Sequence, residues 1–177
     1  MGRPLGAEGR ESAMALQERL VRCVTVLLDE TFAGPPGRSS WYTDSYPGSG
    51  LFGTLDAVPA GAASTPPGSG RTTIAAHLEH LRFSLNLANR ALRGEDPYPT
   101  ADWKASWAVQ QVDDAAWERL RASLRDEYLA LREAVQSPDA WIRDDDALTG
   151  VLAAIAHCAY HLGALRQMIR LLALEST

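Results

Sequence analysis

Cysteine is scarce in this chain. Cys23 and Cys158 stand far apart and form no CxxC or similar metal-knuckle spacing. That excludes a disulfide scaffold and a cysteine-built zinc knuckle, and it predicts two buried, inert thiols. Basic charge is short as well. Lys and Arg number 17 against 22 Asp and Glu, for a net charge of −5, and no basic stripe is present, which argues against nucleic acid as a partner. No uninterrupted apolar run reaches the roughly 18 residues of a membrane span, so no membrane partner is expected. The opening MGRPLGAEGRESAMALQ lacks the apolar centre of a signal peptide, and Gly6 stands where a myristoylation motif needs Ser or Thr. The expected location is the cytoplasm. Alternating strand patterns and internal repeats are also missing, which leaves helices as the building material.

The 177 residues fit a single domain, 1–177, long enough to bury a core without disulfides. Residues 1–9 read as a frayed leader. Apolar residues recur at helical spacing over residues 11–32, through Leu16, Leu20, Val24, Leu27, Leu28 and Phe32, until Gly34-Pro35-Pro36-Gly37 stops the helix. Residues 34–71 form a long connection too rich in proline for one helix, with a short helix within 51–58. Its aromatics Trp41, Tyr42, Tyr46 and Phe52 are expected to pack over one end of the core. A second long helix spans Ile74–Leu92, capped by Thr72 or Thr73 and ended by Gly94 and Pro97. A connection with two tryptophans follows. Asp113 caps a third helix over Asp114–Val135, with Trp117, Leu120, Leu124, Tyr128 and Leu131 on one stripe. The last helix covers 148–174, after an acidic run at 144–146 that suits a helix N-terminus. Four long amphipathic helices predict an all-α four-helix bundle with a long crossover between the first and second helices.

Histidine is rare too, and its placement is the most informative feature. All four residues fall in two tight clusters on two helices, AAHLEHL with His77 and His80, and AHCAYHL with His157 and His161. At about 100° per residue, His157 and His161 lie about 40° apart, one turn above the other. Ala154, Ala164, Leu165, Met168 and Leu172 share their sector, so the pair faces the bundle interior. His80 shares its sector with Ala76, Phe83, Ser84, Leu87 and Ala91, and His77 lies about 60° away, still within the apolar arc. Projection alone leaves both open, although the small neighbours give more room around His80.

Two stacked imidazoles on one helix and a third from another make a three-histidine metal site with room for water or substrate. Such an ion lowers the pKa of bound water or of a thiol and presents a nucleophile at neutral pH. Zinc, iron and nickel all suit three imidazoles. A carboxylate could add a ligand: Glu79 points away, and Glu127 on the third helix is a further candidate. Cys158 projects about 100° from His157 and reads as packing; Tyr160 also falls outside the pair's sector. No side chain is singled out as catalytic.

The segment RTTIAAHLEHLRF followed by ALTGVLAAIAHCAYHLGALRQM resembles the DinB/YfiT-like superfamily of metal-binding four-helix bundles, with weaker support from GEDPYPTADWKASW. The likeness covers the chain from about residue 41 onward. It implies an up-down-down-up bundle, often a homodimer, with a divalent metal on the second histidine of HLEHL, His80, and on His157 and His161 of HCAYH. His77 has no ligand role in that pattern. Characterised relatives include S-transferases and isomerases that use low-molecular-weight thiols. The resemblance therefore implies a metal-dependent enzyme acting on a small-molecule substrate with a small thiol. An anionic thiol would want basic groups near the mouth, for which Arg71, Arg82 and Arg38 are the candidates. The alternatives are a non-catalytic metal-binding or stress-response protein of the same fold, and a plain helical scaffold with core histidines.

Overall fold

A computed structural model describes residues 7–174. Among them are six α-helices and no strand: α1 (Ala7–Ala33), α2 (Leu51–Asp56), α3 (Ala60–Ala63), α4 (Ile74–Leu92), α5 (Asp114–Val135) and α6 (Asp145–Leu174). Caps explain the boundaries. The hydroxyl of Thr73 accepts from the Ala76 N–H and starts α4, and the Asp113 carboxylate accepts from the Ala116 N–H and starts α5. Asp144 accepts from the Ala147 N–H at 2.7 Å, so α6 begins at Asp145, earlier than expected, with Asp145 and Asp146 in its first turn. α1 begins at Ala7, inside the stretch expected to fray; residues 1–6 lie outside the described residues.

Cross-helix pairs fix the directions. Thr25 meets Gln136, Asp29 meets Arg132, and Phe32 meets Tyr128, so α1 and α5 are antiparallel. On the other side His77 meets His161 and Ser84 meets His157, so α4 and α6 are antiparallel. The chain leaves α4 through residues 93–113, which run back along that helix until Gln110 bonds Thr72 and the Thr73 N–H. α5 therefore starts beside the start of α4 and runs parallel to it. The order is up-down-down-up.

The first column of the bundle is composite. α1 ends level with the middle of α5, and α2 and α3 continue along the upper half of that helix. Asp56 pairs with Arg121, the Trp117 indole N–H donates to the Val58 carbonyl at 2.7 Å, and Ser64 exchanges two hydrogen bonds with the Val112 backbone. Phe32, Phe52 and Tyr128 cluster with centroids 4.7–5.5 Å apart at the joint between α1 and α2, each pair adding about 0.5–1.5 kcal/mol beyond its burial. Leu28, Leu51, Leu78, Leu81, Leu124, Leu131 and Leu165 fill one continuous core with them.

Below Thr25, α1 runs past the foot of α5, which explains why Leu16 on its apolar stripe is exposed. Three further expectations are corrected. Of the four connection aromatics only Phe52 packs into the bundle; Trp41, Tyr42 and Tyr46 are exposed, Trp41 at 76%. That segment is held by a buried carboxylate instead. Glu30, 2% exposed, accepts from the backbone N–H groups of Trp41, Tyr42 and Thr43 and from the Thr43 hydroxyl at 2.9–3.0 Å. Cys23 is exposed on α1, not buried. Finally, α6 is long and apolar enough to cross a membrane by length and composition, its few polar residues being spread among apolar ones. Val151, Ile155, Cys158, Leu162, Leu165 and Met168 on that helix belong to the shared core.

Candidate metal centre

The centre lies on the seam between α4 and α6, near the start of α4. His80, His157 and His161 bring one ligand nitrogen each within 4.8 Å of one another, close enough to hold one ion. The Nε2 atom of His157 is 3.2 Å from that of His80 and 3.0 Å from that of His161. Tetrahedral coordination with metal–nitrogen bonds of about 2.0–2.1 Å places its donor atoms about 3.3–3.4 Å apart, close to this spacing.

Each of these rings is held at its outer nitrogen. His80 Nδ1 is 2.9 Å from the Ser106 hydroxyl, His157 Nδ1 is 3.1 Å from the Ser84 hydroxyl, and His161 Nδ1 is 2.9 Å from His77 Nδ1. The Ser106 contact settles a tautomer. Its hydroxyl proton is committed to the Trp103 carbonyl at 2.8 Å, so toward His80 the oxygen accepts. His80 then carries its proton on Nδ1, and Nε2 faces the cluster as a bare lone pair. Outer partners of this kind orient metal-ligating imidazoles and set their basicity.

Burial keeps these rings neutral. It lowers the pKa of all four histidines, and for His80 and His161 the neighbouring imidazoles lower it further, to about 4 and about 3. With His80 bare at Nε2, a single proton on His157 Nε2 serves only one of its two neighbours. One cation serves all three lone pairs, so the donor set fits a divalent metal.

Trp107 covers the cluster. Its ring stacks on His80 with centroids 4.0 Å apart and planes at 19°, and it stands edge-on to His77 at 5.1 Å. Trp103 lies 6.0 Å from His80 and packs against Phe83. These rings and Ser106 come from residues 93–113, where Asp102 shapes the turn by accepting from the Ala105 N–H and, through its carbonyl, from the Ser106 N–H.

Of the residues singled out in the sequence, His80, His157 and His161 come together, and His77 stands beside His161 as an outer partner. Glu79 is tied to Arg82 at 2.6–2.8 Å, and Glu127 is bonded to Asn86 and Asn89, so both candidate carboxylates are engaged elsewhere. Cys158 packs in the core, where burial pushes its thiol up to about 12. Tyr160 is exposed and meets His161 only edge to face. Ser106 and Trp107 were not foreseen. Their segment has short 3-10 turns and no helical period, so the only available signal was its pair of tryptophans.

Among known families, the sequence model of the DinB superfamily matches residues 48–165, which include all four histidines and the 93–113 connection. No curated protein and no solved structure matched the chain.

Proposed function

Because the chain belongs to the DinB superfamily, we propose that it is a metal-dependent enzyme of the small-thiol S-transferase type, holding a divalent ion on His80, His157 and His161. The observation that carries this reading is the geometry of the rings: three Nε2 atoms directed at one point, with every Nδ1 held from outside. When bound, the ion supplies Lewis acidity, which favours the anionic form of a coordinated water or thiol at neutral pH. Zinc, iron and nickel are all compatible with three imidazoles.

The chain's own part is orientation and exclusion of water. Ser106 fixes the His80 tautomer, and Ser84 steadies His157. His161 donates from Nδ1 to His77, which frees its own Nε2 for the centre and leaves the His77 proton on Nε2. Trp107 shields one side of the cluster from solvent. The sulfur nucleophile comes with the substrate. Cys158 is buried and strongly disfavoured as a thiolate, and Cys23 sits on α1, which contributes no side chain to the centre. The same reading takes the protein as a cytoplasmic homodimer, with Leu152 and Tyr160 on the exposed side of α6 available to a second copy.

The test is elemental analysis of untagged protein purified without chelator, beside a His157→Ala, His161→Ala double variant. One divalent ion per chain is expected in the first and none in the second, with helical circular dichroism retained in both. Thiol-transfer activity should follow the metal. Protein that takes up no metal after reconstitution sinks the reading.

A further inference from the structure

A cavity of about 350 Å³ opens on the same α4–α6 seam, next to the histidines on the side toward the start of α4. It is lined by the half-buried His77, by the buried Met168 and the exposed Leu171 as apolar surface, and by the exposed Arg71 and Gln167. Its volume is at the lower end of the range for small-molecule sites. Counting about 30 Å³ per water-sized group, it has room for about a dozen heavy atoms.

The charge at this cavity specifies the ligand further. Arg71 forms no ion pair with any described residue, whereas Arg82, Arg121, Arg132 and Arg166 each have a carboxylate partner. Of the three arginines considered for an anion, Arg82 is tied to Glu79 and only Arg71 lines a cavity that also contains His77. An unpaired guanidinium in a cavity that also presents apolar side chains suits a carboxylate on an apolar body, because the planar fork binds both oxygens at once. A larger cavity of about 440 Å³ lies at the far end of the seam, where Arg143 is already paired with Asp144 and Glu95, Asp96 and Asp146 would repel the same anion.

We propose that the cavity between Arg71 and His77 binds a small carboxylate, its anionic end on the guanidinium, its apolar body on Met168 and Leu171, and its far end against His77. His77 is 2.9 Å from His161 through their Nδ1 atoms, so an occupant touches the outer partner of the metal centre. The cavity and Arg71 carry the binding site; only its link to the ion rests on the metal reading above.

The test is calorimetric titration of the full chain with octanoate and with its neutral counterpart octanamide, in metal-free and zinc-loaded protein. Octanoate should bind about tenfold more tightly than octanamide, as expected of one charge-assisted contact. Arg71→Gln should remove that preference and leave octanamide binding in place, Arg71→Lys should keep part of it, and Leu171→Trp should weaken both ligands by filling the cavity. The imidazole nitrogen resonances of His77 should shift on octanoate addition. Equal binding of the two ligands, an unchanged preference in Arg71→Gln, no octanoate binding at millimolar concentration, or unmoved His77 resonances each overturn the proposal. Octanoate binding that depends on Arg71 in protein unable to take up metal would uphold the cavity while the metal reading fails. Stoichiometric metal without octanoate binding is the reverse.

Discussion

His77 and His161, 84 residues apart in the chain, face each other Nδ1 to Nδ1 at 2.9 Å. One ring donates and the other accepts. Two histidines of the same cluster, His77 and His80, thus have different duties, since His80 points Nε2 into the centre while His77 holds a ligand from behind. Helical projection left the two equivalent, because both lie in the apolar arc of α4.

That division predicts separable effects. His80→Ala or His161→Ala should abolish stoichiometric metal. His77→Ala should retain about one ion per chain and weaken its affinity about 10–100-fold, the usual cost of losing an outer partner. Competition with a chelator of known affinity checks this, and His77→Ala protein without any metal would return His77 to the ligand set.

Acid should destabilise the metal-free protein through the same rings. The folded pKa values of about 4 for His80 and about 3 for His161 lie below the ordinary 6.5. The unfolded chain therefore binds more protons between these limits, so stability is full above about 6.5 and falls as pH drops toward 4 and then 3. Urea unfolding of chelator-treated protein from pH 7.5 to 5 should show this fall. A His80→Gln, His161→Gln variant should flatten it.

Glu30 has a comparable hold over the connection after α1. Burial raises its pKa, but the N–H groups of Tyr42, Trp41 and Thr43 and the Thr43 hydroxyl outweigh that and hold it below the usual 4.5. Its contribution is complete above 4.5 and is lost as pH falls through the lowered value. Glu30→Ala, which leaves these donors without their acceptor, should cost about 2–4 kcal/mol. Thermal melts at pH 7 measure the loss, which should shrink in strong acid.

Gly53 reverses a general rule. Inside a helix, Gly→Ala ordinarily stabilises by about 1 kcal/mol. In α2 an added Cβ would lie 2.0 Å from the Gly48 carbonyl oxygen, against backbone that has no side chain to swing aside. Gly53→Ala should therefore lower the melting temperature, whereas Gly61→Ala, which meets nothing within 4 Å in α3, should not.

The parts of the fold legible in the sequence were those with local chemistry. α4 was marked at both ends, by Thr72 or Thr73 as cap and by Gly94 and Pro97 as stops, α5 was marked at its start by Asp113, and the histidine sectors followed from the helical period. The rest depended on contacts distant in sequence. Trp41 looked like core material because aromatics usually are, yet Glu30 orders that segment through backbone groups that composition does not register. The composite first column was equally hidden, since nothing within residues 51–64 announces that Val58 and Ser64 will meet Trp117 and Val112.

The parallel pairing of α4 with α5 has a kinetic consequence. The chain must climb back through residues 93–113, lay down α5 and reverse again before α6 can bring His157 and His161 to His80. Contacts so distant in sequence are expected among the last to form, because the intervening loops must close first. Interactions absent from the folding transition state change the unfolding rate and leave the folding rate nearly untouched. An ion held at this seam would lengthen the lifetime of the native protein without hastening its formation.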